Sequence, residues 1–277
     1  MPNRAEIDSK IDSFFSGSYV TNVGRTVPNV ADVSLGNHGK EVDSAMLFID
    51  IKESTKIVDG SRRETAAKMY KAFLWGVTQI ARTNGGEVKS FNGDGVLIAF
   101  YGEQKENNAV TAALKMSWFV SYILKPKVQP RFSSSVRLQR LDFDFGIGID
   151  SGTILVVRGG IAGENNNDLV WVGNATNYAV KLSSLSKSGS SISITNNVFT
   201  KLKDSLKYDK KELMSQYITG SYKNIWERTP IPSKLTTKIV AQRVQSPAQS
   251  TLSSLLSGSS PDTTEYYYRS NYHIEIT

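Results

Sequence analysis

Apolar and polar residues follow one another along this chain in the pattern of a domain that mixes helices and strands. Residues 44–51 are mostly apolar and predict a core strand, and residues 87–91 and 96–100 predict the two arms of a β-hairpin. Further alternation predicts strands at residues 141–150 and 153–157 and an extended segment at residues 191–195. These segments are sufficient for one central sheet.

Helical periodicity occurs between the predicted strands. In residues 61–84 the apolar face consists of Ala66, Met69, Phe73, Val77 and Ile80, and Gly85-Gly86 is the stop signal. In residues 103–124 it consists of Val110, Ala113, Met116, Val120 and Ile123, and Pro126 is expected to end the helix. Residues 174–186 are also predicted to be helical. The β-α-β-β-α-β order predicts a ferredoxin-like α+β fold whose helices cover one face of an antiparallel-rich sheet.

The two ends of the chain differ from its centre. Residues 3–15 predict a short amphipathic helix, which opens a Gly- and Asn-rich arm. Residues 245–262 are rich in Ser and predict a flexible linker, and residues 264–277 are an aromatic, strand-like segment that can return to the sheet or to a partner. The predicted division is an N-terminal arm (1–42), a central domain (43–200) and a C-terminal extension (201–277).

Composition restricts the chemistry and the partners. The net charge of +7, from 33 Lys and Arg against 26 Asp and Glu, favours a polyanionic substrate, but the basic residues are scattered and no aromatic residues interleave with them. We therefore expect no stable nucleic-acid partner. The chain has no Cys, so a thiolate metal site is excluded. His38 and His273 lie near opposite ends, which gives a His-metal or Ser-His-Asp mechanism little to build on. No apolar stretch approaches the ~20 residues of a membrane span, which predicts a cytoplasmic protein without a membrane partner.

Two aspartates are the main candidates for chemistry. Asp50 follows the apolar run of residues 44–51 near its end, and Asp94 lies in the glycine-flanked turn between the hairpin arms. Either one alone fits an ordinary turn or helix-capping residue. Together they fit a site for two divalent cations, Mn²⁺ or Mg²⁺, because such ions bind one or two carboxylates plus substrate phosphates. The chemistry indicated is phosphoryl or nucleotidyl transfer.

Four short blocks occur in a fixed order along the chain. They are Phe48-Ile49-Asp50-Ile51 followed by Ser54-Thr55, then Gly93-Asp94, then Gly146-Ile147-Gly148-Ile149 followed by Gly152, and finally Val172-Gly173-Asn174 followed by Asn177, Lys181 and Leu182. This order resembles the catalytic domain of class III nucleotide cyclases over residues 43–200. Within that family the resemblance is greatest to the pyrimidine cyclases of bacterial Pycsar antiphage systems.

The resemblance assigns roles to several residues. It implies that Asp50, Asp94 and the backbone carbonyl of Ile51 bind the two cations, and that the turn containing Ser54 and Thr55 holds the substrate phosphates. It also implies that Asn177 orients the ribose and that Lys181 binds the α-phosphate, both from the opposite protomer of a head-to-tail homodimer with two composite sites. Lys181 stands where the family has Arg, so it supplies charge without a bidentate fork.

Base selection is predicted from departures from the purine cyclases. Ser90 stands where adenylate cyclases carry Lys and guanylate cyclases carry Glu, and Val170 stands where adenine-specific enzymes use Asp or Thr. Lys89 and Ser90 can donate hydrogen bonds to pyrimidine carbonyls, although alternation equally allows Lys89 to point away. The side chains present donate more than they accept, which favours uracil over cytosine.

The function expected from the resemblance is cyclisation of a nucleoside triphosphate, UTP or CTP, to its 3′,5′-cyclic monophosphate with release of pyrophosphate. The product would be the second messenger of an antiphage system, with a downstream effector that senses the cyclic nucleotide. The alternatives are an adenylate or guanylate cyclase, or a catalytically silent cyclase-like module that binds nucleotide. Two departures weaken the match. Glu53 occupies a loop position where the family commonly has Gly, and no segment clearly matches the late Val-Lys-Gly segment that supplies a triphosphate-binding lysine in many cyclases.

Overall fold

The computed structural model of the 277-residue chain describes residues 2–132, 135–163, 165–185, 191–208, 224–230, 266–270, 272 and 276. Its strands are β1 (Val20–Val23), β2 (His38–Ile51), β3 (Gly86–Asn92), β4 (Gly95–Phe100), β5 (Phe145–Gly160), β6 (Asn167–Val172), β7 (Ile192–Thr195), β8 (Glu227–Pro230) and β9 (Tyr266–Ser270). Its helices are α1 (Arg4–Ser16), α2 (Ser54–Gly60), α3 (Arg63–Thr83), α4 (Lys105–Trp118), α5 (Lys125–Phe132), α6 (Asn174–Ser184), α7 (Asn196–Lys201) and α8 (Asp204–Lys207). A 3-10 helix (Val30–Asp32) and a π-helix (Phe119–Leu124) complete the described elements. None of the described helices is long and apolar enough to span a membrane.

One mostly antiparallel sheet contains all nine of the described strands. Its main path is β3-β4-β2-β5-β7-β9-β8, with β1 beside β2 and β6 beside β5. Only the β1–β2 and β5–β7 pairs are parallel. This confirms the predicted α+β class with an antiparallel-rich sheet. Strand β2 lies at its centre, because it pairs with β4 on one side and with β5 along nearly its whole length on the other.

The sheet is covered on both faces, so the prediction of helices on one face is wrong. On one face, α3 and α4 pack against alternate residues of β2 and form the larger core. On the other face, Ala175 and Ala179 of α6 pack against Met46 and Phe48 of β2. The physical reason is Gly148, where a Cβ atom would lie 2.0 Å from the Ala179 carbonyl oxygen. The missing side chain allows α6 to approach the sheet directly.

The segments predicted as strands 141–150 and 153–157 form one strand, β5, rather than two. Its pairing with β2 continues without a break from Ile51 opposite Phe145 to Gly39 opposite Val157. Ser151 and Gly152, which separate the two predicted segments, pair in register with Ala45 and Ser44. Strand β2 is long enough to hold both halves because it begins at His38, before the predicted start of residues 44–51.

Pro126 does not end the second long helix, contrary to the prediction. The π-helix follows α4 directly, and α5 then begins at Lys125, which places Pro126 in the first turn of α5. The amide of Lys125, one residue earlier, still donates to the Val120 carbonyl in the π-helix, so Pro126 removes one bond from a continuous helical run without ending it. The wider π turn also rotates the apolar face, so Ile123, predicted to be buried, is 37% exposed.

The helix predicted in residues 61–84 is confirmed as α3, and all five residues of its predicted apolar face are buried. The N-terminal helix predicted in residues 3–15 is confirmed as α1, but none of its residues is buried. The sequence did not predict α2, β1 or β6. Within residues 264–277, β9 returns to the sheet between β7 and β8. The predicted linker at residues 245–262 lies outside the described residues.

Candidate active site

The hairpin between β3 and β4 brings Asp94 to Asp50. Asn92 pairs with Gly95, so Gly93 and Asp94 form a two-residue turn, and Gly93 has the positive φ of 66° that such tight turns need. Strand β4 also pairs with β2, where Ile49 lies opposite Val96. Asp50 is the next residue of β2, and a Cβ atom on Gly95 would lie 3.2 Å from its Oδ1 atom. The two carboxylates therefore face each other where the two strands meet.

The environment of the pair disfavours its negative charge. Burial and the neighbouring charge of Asp94 raise the pKa of Asp50 from 3.8 to about 7, although the Ile51 amide donates a hydrogen bond that acts against this rise. One carboxylate oxygen of Asp94, Oδ2, is buried and has no hydrogen-bond partner. An unpaired buried carboxylate oxygen costs free energy, and a bound cation would remove that cost.

The carboxylate pair is a small ligand set by itself. Within the described part of the chain, no group of three or more His, Cys, Asp or Glu side chains is placed to bind a metal ion. Hard divalent cations commonly complete their coordination with water and substrate phosphates. The residues present thus fit cations that arrive with a phosphorylated substrate better than a permanently bound structural ion.

Tyr70 lies beside the aspartate pair, and the sequence did not predict it as a residue of the site. Its hydroxyl donates a hydrogen bond of 3.5 Å to the carbonyl oxygen of Ser54. Burial, followed by the negative charge of Asp94, raises the pKa of Tyr70, and Asp50 adds to the rise. The sequence offers one signal for this role of Tyr70, a hydroxyl group beside the apolar face of α3.

The turn from β2 into α2 contains strained backbone. Glu53 has φ 54° and ψ 30°, the left-handed conformation that favours Gly, and this explains why Gly is common at that position in the resembling family. Its carboxylate forms an ion pair with Lys56. Ser54 and Thr55 follow in the first turn of α2, where no side chain caps the free amides. Beside the turn, Lys52 forms an ion pair of 2.7 Å with Asp144.

Asn177 and Lys181 lie on α6, whereas Asp50 lies on β2 and Asp94 lies in the turn between β3 and β4. The buried face of α6 contains Ala175 and Ala179, whereas Asn177 is exposed. The Lys181 ammonium group lies 6.0 Å from the centre of the Tyr178 ring. The raised pKa of Asp50 has burial and the charge of Asp94 as its causes.

The three residues predicted to select the base lie on two strands that are not neighbours in the sheet. Ser90 lies on β3 and Val170 on β6, with β4, β2 and β5 between these strands in the sheet. Lys89, at a break in the β3–β4 register, has a nearly buried side chain that pairs with Glu87 at 2.9 Å. Its ammonium group also donates to the Pro28 carbonyl and lies over the Trp171 ring. Lys89 therefore makes contacts within the protein that a base would have to replace.

The fold and the carboxylate pair together define an α+β domain with a hairpin-borne acidic site. Residues 38–227 match the model of the adenylate and guanylate cyclase catalytic domain, so the chain belongs to this family of class III nucleotide cyclases. The solved adenylyl cyclase CyaB from P. aeruginosa has a TM-score of 0.53 at 16% identity, covering 83% of this chain and 94% of its own. The solved guanylyl cyclase Cya2 has a TM-score of 0.52 at 18% identity, covering 71% of this chain and 87% of its own. These two similarities show the shared fold.

Curated relatives are similar at higher identity. A uridylate cyclase of Xanthomonas perforans is 34% identical over 224 residues, which are 80% of this chain and 89% of that protein. A uridylate cyclase of Burkholderia cepacia is 35% identical over 196 residues, which are 70% and 82% of the two chains. The predicted family is therefore confirmed.

Proposed function

We propose that this protein is a uridylate cyclase, which converts UTP to 3′,5′-cyclic UMP and pyrophosphate. The reaction class rests on the paired carboxylates of Asp50 and Asp94 within a cyclase-family domain. The choice of uridine rests on the relatives named uridylate cyclase at 34% and 35% identity. CTP stays the second candidate substrate, because the side chains at Ser90 and Val170 exclude neither pyrimidine.

The aspartate pair fits two divalent cations, Mn²⁺ or Mg²⁺. Bound there, the cations would lower the pKa of the ribose 3′-hydroxyl and stabilise charge on the α-phosphate and the leaving pyrophosphate. Asp50 and Asp94 supply the carboxylates, and the Ile51 carbonyl completes the proposed set. Cation binding requires both aspartates to be ionised, so a pKa of about 7 for Asp50 predicts tighter binding as the pH rises through 7.

The other proposed contacts of the substrate come from two parts of the fold. The backbone amides of Ser54 and Thr55 hold the terminal phosphates, and the Glu53 carboxylate is kept in an ion pair with Lys56. Asn177 orients the ribose, and Lys181 supplies positive charge to the α-phosphate. Lys89, Ser90 and Val170 surround the base, and Lys89 acts either directly or through its contact with Trp171.

A head-to-tail homodimer would complete the site. The resemblance places Asn177 and Lys181 of α6 in the opposite protomer from the aspartates, and Ser90 and Val170 lie on different strands, β3 and β6. Large apolar side chains are exposed on the same elements: Phe91 on β3 (55%), Val170 (49%) and Val172 (51%) on β6, and Val180 on α6 (41%). A dimer that buries these side chains would bring the two halves of each site together.

The test of the activity is direct. Purified protein is incubated with each of the four ribonucleoside triphosphates and Mn²⁺, and the products are resolved by mass. We expect cyclic UMP as the main product, with no product from Asp94→Ala. Absence of a cyclic product from every triphosphate, with the variant and the original protein equal, would favour the silent nucleotide-binding module.

We propose further that the cyclic nucleotide is a second messenger of antiphage defence and acts on a separate effector that senses it. This rests on the resemblance to the Pycsar cyclases. Cells that carry the gene with its genomic neighbours should resist phage, and cells with Asp94→Ala at the same protein level should not. Equal resistance in both would remove the messenger role while leaving the enzymatic activity intact.

A further inference from the structure

A cavity of about 860 Å³ lies between α2, α3 and α5, and none of its lining residues belongs to the candidate active site. Its walls are largely apolar and consist of Ile57, Met69, Leu124, Val128, Phe132 and Leu138. A volume of this size is typical of sites for small organic ligands. The apolar part of such a ligand would lie against these walls.

The charged residues that line the cavity are all positive. Arg62, Lys68, Lys127 and Arg131 line the cavity, and no Asp or Glu does. Within the described residues, Arg62, Lys68 and Lys127 form no ion pair, and the Arg131 guanidinium donates to the Lys127 carbonyl. Arg62, Lys68 and Lys127, which have no described counter-ion and lie beside apolar walls, favour a ligand that is negatively charged at one end and apolar at the other.

The cavity shares two helices with the active site. Helix α2 begins at Ser54, in the turn beside Asp50, and ends at Gly60 in the cavity wall. There Ser135 donates a 2.7 Å hydrogen bond to the Gly60 carbonyl. Helix α3 carries Tyr70, which contacts the Ser54 carbonyl, next to the lining residue Met69. A ligand in the cavity therefore contacts both helices that hold the proposed phosphate-binding turn.

We propose that this cavity binds an amphipathic organic anion and that its occupancy changes the turnover at the aspartate pair. This regulatory site goes beyond the cyclase activity itself. The negatively charged end contacts Arg62, just before α3, and Lys68 of α3, and the apolar body fills the space between α3 and α5. Occupancy fixes the end of α2 and thereby the position of the Ser54 turn.

Ligand binding to the cavity is tested on the original protein. The fluorescence of 8-anilinonaphthalene-1-sulfonate reports binding, and dodecanoate is added as a competitor. Arg62→Ser/Lys68→Ser removes two lining cations, and Arg63→Ser/Lys71→Ser removes two cations from the same helix that do not line the cavity. We expect binding about tenfold weaker for the first variant and within about twofold for the second. Equal losses in both, or fluorescence that does not saturate, would overturn the proposal.

A second matched pair tests the mouth of the cavity and its coupling to turnover. Ala72→Glu places a carboxylate in the lining, and Ala67→Glu places one on an exposed part of α3 outside it. Dodecanoate should change the turnover of the original protein and of Ala67→Glu, but not that of Ala72→Glu. Saturable binding without any change in turnover overturns the coupling. The binding measurement stands by itself if no triphosphate is cyclised.

Discussion

Asp50 and Asp94 lie side by side without a cationic partner among the described residues, and burial together with the charge of Asp94 raises the pKa of Asp50 to about 7. The folded pKa lies above the value of 3.8 for a free Asp, so the folded protein binds a proton that the unfolded chain releases. Stability from this group is therefore fully present below about pH 4 and is lost as the pH rises to about 7. The aspartates cost stability at neutral pH when no cation is bound.

Replacing Asp50 with Asn should remove this loss. In EDTA, we expect the Tm of Asp50→Asn to exceed that of the original protein by several degrees at pH 8 and to differ little at pH 4, because the amide cannot ionise. Asp12→Asn, on the exposed helix α1, is the control and should leave the pH dependence unchanged. An identical decline of Tm with pH in Asp50→Asn would show that another group causes it.

Gly148 should not tolerate a side chain. An added Cβ atom would lie 2.0 Å from the Ala179 carbonyl oxygen and 2.6 Å from the Ser183 amide, so α6 would have to move. We expect Gly148→Ala to lower the free energy of unfolding by more than about 2 kcal/mol. Gly152→Ala is the matched control, since nothing lies within 4 Å of its Cβ position, and it should change stability by less than about 0.5 kcal/mol. Chemical denaturation of both variants measures the difference, and similar losses would contradict the packing of α6.

The part of the site that the sequence predicted is the part set by local structure. Asp50 lies near the end of an apolar strand, and Asp94 lies in a two-residue turn, and both features are local. The long-range pairing of β4 with β2 then brings the two aspartates together. Tyr70 could not be predicted this way, because its position depends on how α3 packs against α2. The role of Gly148 likewise required the contact with α6.

Two errors in the predicted fold have a similar origin. The sequence predicts two strands separated at Ser151 and Gly152, but continuous pairing with β2 holds these residues in one strand. The proline rule places a helix end before Pro126, but the π-helix before it shifts the register and makes that proline a first-turn residue. In both places tertiary pairing or a local change of helix type outweighed the intrinsic preference.

Glu53 should show measurable backbone strain. Glu53→Gly relieves a left-handed conformation, and Glu53→Ala keeps it while removing the same carboxylate and its ion pair with Lys56. We expect the Gly variant to be more stable than the Ala variant by about 1 kcal/mol. Thermal or chemical unfolding of the two proteins gives the difference. If Ala is equal to Gly or better, the turn does not hold residue 53 in this conformation in solution.

Composite sites predict recovery of activity in mixed dimers. Asp94→Ala and Asn177→Ala should each be inactive, because one lacks a metal ligand and the other lacks the ribose contact. In a mixed dimer, one site combines the intact Asp94 of one protomer with the intact Asn177 of the other, so mixing should restore up to about a quarter of the original turnover per chain. Subunit exchange is verified with two affinity tags. No recovery in confirmed mixed dimers would mean that each chain carries its own site.

Base selection is tested at Ser90 and Val170. The original protein should cyclise UTP, with CTP second, far better than ATP or GTP, because the residues that recognise purines are absent. A site that hydrogen-bonds its proper base leaves polar groups unpaired when a wrong base binds, and each 1.36 kcal/mol lost is about tenfold in rate.

Ser90→Lys/Val170→Asp should lower pyrimidine turnover and raise the ratio of ATP to UTP turnover. The exposed Val23→Asp, on β1, is the control and should leave that ratio unchanged. Cyclisation of ATP or GTP by the original protein as fast as UTP and CTP, under the same metal conditions, would refute this assignment.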